Sequence, residues 1–124
     1  MKPWVPLGRA PIPGSPDALE LWQRGEEFSI RISGYVSELM NSRQHGSEEA
    51  LADYAVPLVA GRPQPHVLVG GLGMGFTLAA ALRGVGQNGL VTVAELVPEV
   101  VEWNRGPLGE VAAHPLRCLL YTSP

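Results

Sequence analysis

Apolar and polar residues alternate early in this chain and bunch together later. Phe28, Ile30 and Ile32 alternate with Ser29, Arg31 and Ser33, the period-two signature of a half-buried strand. Arg24-Gly25 and Ser33-Gly34 supply turn chemistry on either side. Residues 18–42 are therefore predicted to form a small antiparallel meander, with strands near 18–23, 26–33 and 35–40. Ahead of it, Pro3, Pro6, Pro11, Pro13 and Pro16 with Gly8 and Gly14 predict an extended, mobile arm over 1–17. After it a helix is expected from Ser47, a good N-cap, with Glu48 and Glu49 at the positive end of the macrodipole. Leu51, Tyr54, Ala55 and Leu58 would form its buried stripe, and Pro57 ends or kinks it.

From Gly61 to Pro65 the chain reads as a linker, and from His66 the apolar residues run together. Val67–Val69 is predicted as a buried strand, Gly71–Gly75 as a tight turn, and Phe76–Leu82 as a helix of good helix formers. Gly84, Gly86, Asn88 and Gly89 make the return loop to a second strand, Leu90–Ala94, closed by Glu95. Pro98 fits the first turn of a helix running to about Asn104, with Val97, Val100, Val101 and Leu108 toward the sheet. The fold class is α/β: a small N-terminal antiparallel meander, then the first half (β-α-β-α) of a Rossmann-like nucleotide-binding unit.

The glycine run carries the chemistry. Gly71 lets the chain turn sharply out of the strand, Gly73 can take positive φ without a Cβ clash, and Gly75 completes the spacing G-x-G-x-G. A dinucleotide fingerprint, G-x-G-x-x-G, wants its last glycine where this chain has Phe76. The spacing favours an S-adenosylmethionine-type ligand over NAD. Bare backbone allows close approach, and the N–H groups opening the next helix point at the ligand. Glu95, at the carboxyl end of the second strand, can accept both ribose hydroxyls of an adenosine. The cofactor-binding residues expected are thus Gly71, Gly73, Gly75 and Glu95.

Composition narrows the context. A chain of 124 residues with net charge -3 gives no electrostatic footprint for nucleic acid or an anionic membrane. No stretch approaches the roughly 18 uncharged apolar residues of a membrane span, and Met1-Lys2-Pro3-Trp4 does not open a signal peptide. One cysteine, Cys118, makes no internal disulfide, and His66 and His114 have no partner at metal-ligand spacing, so no metal is expected. Localisation is cytoplasmic by default.

The final seven residues, Cys118–Pro124, read as the translation of a transposase adapter used in sequencing-library preparation, and are set aside as a fusion scar. The domain reading is then an arm (1–17), the meander plus helix (18–60), an incomplete nucleotide-binding domain (61–117) and the adapter-like tail (118–124). Two parallel strands leave sheet edges and faces uncovered, which predicts a fragment that folds poorly alone and has little activity.

The meander, the Ser47 helix with its Ala55-Val56-Pro57-Leu58 end, the glycine loop and the run from Val93 to Glu102 together resemble spermidine synthases. The resemblance covers residues 18–116 and is densest over 66–104. It implies polyamine aminopropyl transfer on a class I methyltransferase-like fold preceded by a small β-domain. It implies decarboxylated S-adenosylmethionine or S-adenosylmethionine as donor at Gly71, Gly73, Gly75 and Glu95. It also implies a small amine acceptor and a homodimer formed through the β-domain. The family's loop aspartate falls on Met74 here, and of its Tyr-His-Glu stretch only Glu49 matches, in Ser47-Glu48-Glu49. Its catalytic aspartate lies beyond the matched region, so the catalytic residues are unknown.

Two further functions remain open: an S-adenosylmethionine-dependent methyltransferase with the same loop and Glu95, and a non-catalytic adenosyl-binding or dimerisation module. An NAD oxidoreductase ranks last, because of Phe76. Among the remaining chemistry-bearing residues, Glu48, Glu49 and Asp53 read as a solvated helix face. His45 reads as a loop residue, with an acceptor-pocket wall as its alternative. Trp22 and Tyr35 read as core or interface, Trp103 as packing, and Arg31 and Arg43 as exposed arginines.

Overall fold

The computed structural model describes residues 2–35 and 38–118. The chain divides into two compact units, Met1–Gln44 and His45–Pro124. The boundary therefore falls after Gln44, whereas the sequence reading put it after residue 60. The adapter-like reading of the tail lies, past Cys118, outside the described residues.

The first unit is a four-stranded antiparallel sheet in the order β1-β2-β3-β4: β1 Val5–Pro11, β2 Ala18–Arg24, β3 Glu27–Ile32 and β4 Glu38–Asn41. The expected meander is present, and the proline-rich arm adds a strand to it. Proline removes a ladder donor, so it is tolerated on an edge strand. β1 is such an edge, with Pro6 paired to Trp22, Pro11 to Ala18, and an irregularity between Pro6 and Gly8. Gly25 (φ 60°) and Glu26 make the two-residue connection between Arg24 and its partner Glu27, the length and backbone sign that suit a hairpin. Leu21 and Ile30 face each other across β2 and β3, fully or nearly fully buried, with Leu19 and Phe28 beside them.

The opposite face of this sheet is polar and yet partly closed. Ser29, expected on the wet side of the alternation, is 0 % exposed. Its hydroxyl donates to the Glu38 carboxylate and accepts from Arg31 Nε at 3.2 Å, while Asn41 Nδ2 donates to Glu38 at 2.7 Å. Arg31 stacks on the rings of both Trp4 and Trp22 (4.9 and 5.2 Å to the centroids), each contact of cation–π type. The N-terminal Trp4 thus helps cover a face the alternation leaves to water. Tyr35, expected in core or interface, is 64 % exposed, because it lies past the end of β3 in the turn.

The second unit contains α1 Gly46–Ala55, β5 His66–Gly70, α2 Phe76–Val85, β6 Leu90–Ala94 and α3 Pro98–Arg105, with short 3-10 turns at Val56–Leu58 and Pro115–Cys118. β5 and β6 pair in parallel, Val67 beside Val91 and Val69 beside Val93. Val69, Val91 and Val93 are buried, and α2 packs on both strands. The other face is open: Leu68 is 69 % exposed, so β5 is not the fully buried strand its composition suggests.

Helix α1 departs from expectation in two ways. It begins at Gly46 with His45 at the N-cap and no side-chain cap; Ser47 donates instead to Glu48. Leu51, Tyr54 and Leu58 are exposed, and Ala52 and Val56 are the buried pair. The reason is the neighbour. α1 meets α2 where α2 carries Ala80 and Gly84, so the helices approach closely and small residues occupy the seam.

Two outcomes are expected. A Cβ on Gly84 would stand 2.7 Å from Val56 Cγ1. Gly84→Ala should therefore lower stability by about 1 kcal/mol or more, the overpacking cost exceeding the ~1 kcal/mol helix gain. In a Val56→Ala background the same change should stabilise, a sign reversal that urea denaturation reads directly. In the first unit, the Ser29 hydrogen bond chiefly holds the Glu38 carboxyl below its ordinary value, with Asn41, Arg31 and Arg43 assisting against burial. A lowered carboxylate contributes stability that is complete above its ordinary range and lost as pH falls through the folded value. Acid titration of folding should show this loss, and Glu38→Gln should remove that part of the pH dependence.

Candidate functional site

The glycine loop leaves β5 at Gly70 and reaches α2 at Phe76. Gly71, Gly73 and Gly75 all take positive φ (94°, 54° and 89°), a region costly for residues with a Cβ. Gly71 N–H continues the ladder to the Ala94 carbonyl at 2.7 Å, and Gly75 N–H closes the turn on the Leu72 carbonyl at 2.9 Å. At the start of α2 the N–H groups of Phe76, Thr77 and Leu78 have no intrahelical acceptor, and Gly75 at the N-cap provides no side-chain cap.

Glu95 stands just past β6 and reaches across to the loop. Its Oε1 accepts Leu72 N–H at 2.7 Å and its Oε2 accepts Val97 N–H at 3.0 Å. The carboxylate is half-buried. Two of its roughly four lone-pair positions are used, which leaves two without a protein donor among the described residues.

The glycines separate by environment. At Gly71 an added Cβ would meet nothing within 4 Å, and the residue is exposed. At Gly75 it would stand 2.9 Å from Pro115 Cγ and 3.2 Å from Asn104 Oδ1, and the residue is buried. Gly71 therefore borders the open side, Gly73 is half-buried, and Gly75 is turned inward. Met74 is 0 % exposed, so the side chain at the family's aspartate position is a packing group.

His45 stacks on Phe76, ring centroids 4.0 Å apart at 12°, and its Nδ1 is paired with Glu49. Arg83 lies 3.7 Å from the other Glu49 oxygen. These residues line a cavity of about 280 Å³ that Glu110 and Val111 complete. Thr77 Oγ donates to the Glu48 carbonyl at 2.8 Å, which ties the first turns of α1 and α2 together. His66 is occupied elsewhere, 2.9 Å from Thr92 Oγ. Among the described residues no three His, Cys, Asp or Glu side chains gather as metal ligands, and no helix is long and apolar enough to cross a membrane.

Sequence reasoning missed Asn104, whose Nδ2 donates to the Gly73 carbonyl at 2.7 Å, and Pro115, which packs on Gly75.

Comparison with known proteins gives fold without family. No protein-family profile matches the chain, and no curated protein matches by sequence. Among solved structures the chain is similar to a spermidine synthase from Thermotoga maritima, with a TM-score of 0.61 at 17% identity over 86% of this chain. The chain spans 36% of the length of that neighbour. At that identity the likeness shows the fold: an N-terminal antiparallel sheet followed by part of a Rossmann-like α/β domain.

Proposed function

We propose that the glycine loop and Glu95 hold the adenosyl part of a sulfonium nucleoside, and that the intact protein transfers an aminopropyl group from decarboxylated S-adenosylmethionine to a small amine. The observation that carries this reading is the Glu95 carboxylate bonded to the loop's own N–H at the carboxyl ends of two parallel strands, where open α/β sheets take their ligands. The Thermotoga neighbour, a spermidine synthase, supports the same class.

The chemistry asked of the protein is modest. The donor supplies a carbon made electrophilic by its sulfonium. The amine nitrogen attacks that carbon, the C–S bond breaks with its electron pair passing to sulfur, and the nitrogen sheds a proton. A neutral thioether leaves, so no acid is needed. The residues of this chain bind and orient: Glu95 takes the ribose hydroxyls, and the loop backbone lies along the nucleoside, which gives catalysis by positioning. On the same reading the reaction is cytoplasmic, and the intact protein pairs with a second copy through its N-terminal sheet.

A second reading is methyl transfer from S-adenosylmethionine itself. The burial of Met74 favours it: the loop offers no carboxylate to the free ammonium of a decarboxylated donor, whereas the undecarboxylated donor carries a zwitterionic tail.

Calorimetric titration with methylthioadenosine, S-adenosylmethionine and decarboxylated S-adenosylmethionine tests the proposal. Binding of all three is expected, with Glu95→Ala weakening each at least about tenfold through loss of charge-assisted hydrogen bonds. A preference for S-adenosylmethionine over the decarboxylated form would select methyl transfer. Binding of NAD in preference to methylthioadenosine would sink both readings.

A further inference from the structure

We infer that Asn104 is the positioning residue of the glycine loop, setting from behind the direction in which the loop's backbone faces a ligand. The residue is 3 % exposed. Its Nδ2 spends both hydrogens on carbonyls, Gly73 at 2.7 Å and Val100 at 2.8 Å, and two carbonyl acceptors fix which terminal atom is nitrogen. Its Oδ1 is enclosed with no partner among the described residues. A buried acceptor left unpaired is costly, and an apolar side chain of similar size would carry no such acceptor. Asparagine is a poor helix former, and of its two bonds the one to Gly73 is the one that reaches beyond α3.

The loop is clasped on two sides. Glu95 holds Leu72 N–H, and Asn104 holds the Gly73 carbonyl. A trans peptide points its carbonyl and N–H in opposite directions. Drawing the Gly73 carbonyl toward α3 therefore directs Met74 N–H away from α3. A second layer reinforces this. Ala113 and His114 take positive φ (62° and 55°), sparsely populated for residues with a Cβ and held only where surroundings demand it. The turn they make delivers Pro115 against Gly75. Gly75 is glycine because Asn104 and Pro115 occupy the space a side chain would need. The consequence for donor affinity rests on the proposed adenosyl reading; the conformational role does not.

Backbone amide exchange on the purified 124-residue chain tests the role, with Leu72 and Gly75 as reporters and the β6 amides as the folded control. In Asn104→Ala the two reporters should exchange about tenfold faster, the scale of one hydrogen bond, with β6 unchanged. Asn104→Asp should loosen the loop at neutral pH, where a carboxylate confronts two carbonyls. It should recover as acid protonates that group and lets it donate to Gly73, a pH profile that a space-filling role would not produce. Should Asn104→Asp leave β6 unprotected, Asn104→Ala decides alone. Methylthioadenosine titration adds a separate arm: wild-type binding weakened about tenfold by Asn104→Ala supports transmission to the ligand. If the wild type does not bind methylthioadenosine, the adenosyl reading falls while the exchange data still judge Asn104. Reporter amides that exchange at the wild-type rate in Asn104→Ala, with β6 still protected, would overturn the inference.

Discussion

The Glu95 carboxylate stitches the ends of two parallel strands to each other, and the candidate site is arranged around it. One oxygen receives Leu72 N–H from the loop after β5, and the other receives Val97 N–H ahead of α3. Each is a charge-assisted bond, stronger than a neutral pair. A glutamine could accept only one of the two in the same way. The arrangement fixes where the loop stands relative to β6.

Around that carboxylate the loop residues divide their work by the side they face. Gly71 borders open space and serves approach; Gly75 borders Pro115 and Asn104 and serves packing. Met74 fills the interior between them, fully enclosed. A spacing of glycines read from sequence assigns them one shared purpose, whereas the folded loop gives two purposes and sets a hydrophobic anchor between them.

Alternation made β3 legible, and turn chemistry, apolar runs, good helix formers and Pro98 did the same for β2, β5, α2, β6 and α3. That Glu95 meets the glycine loop was legible too, since strand ends in this topology converge by construction. What escaped were features set by a neighbour. The Leu51, Tyr54 and Leu58 stripe looks like a core face until α2 offers Ala80 and Gly84, and then Ala52 and Val56 fit the seam. The prolines of the arm looked like a veto on pairing, but an edge needs fewer donors than a central strand. Ser29 looked solvated, but Arg31 and Glu38 bond to it and it is buried. Asn104 bonds to Gly73, 31 positions earlier, and no local pattern announces a contact of that span.

The two sheets also differ in how they would receive a stranger. Strand β1 carries Pro6 and Pro11 within seven residues on its rim, so an incoming strand finds missing donors and a broken rhythm there. Such rims resist runaway strand-on-strand growth. Strand β5 has no proline and presents Leu68 beside a free flank, paired among the described residues with β6 alone. Adventitious strand-on-strand contact between copies of this chain would accordingly start at β5 more readily than along the proline-bearing rim of β1.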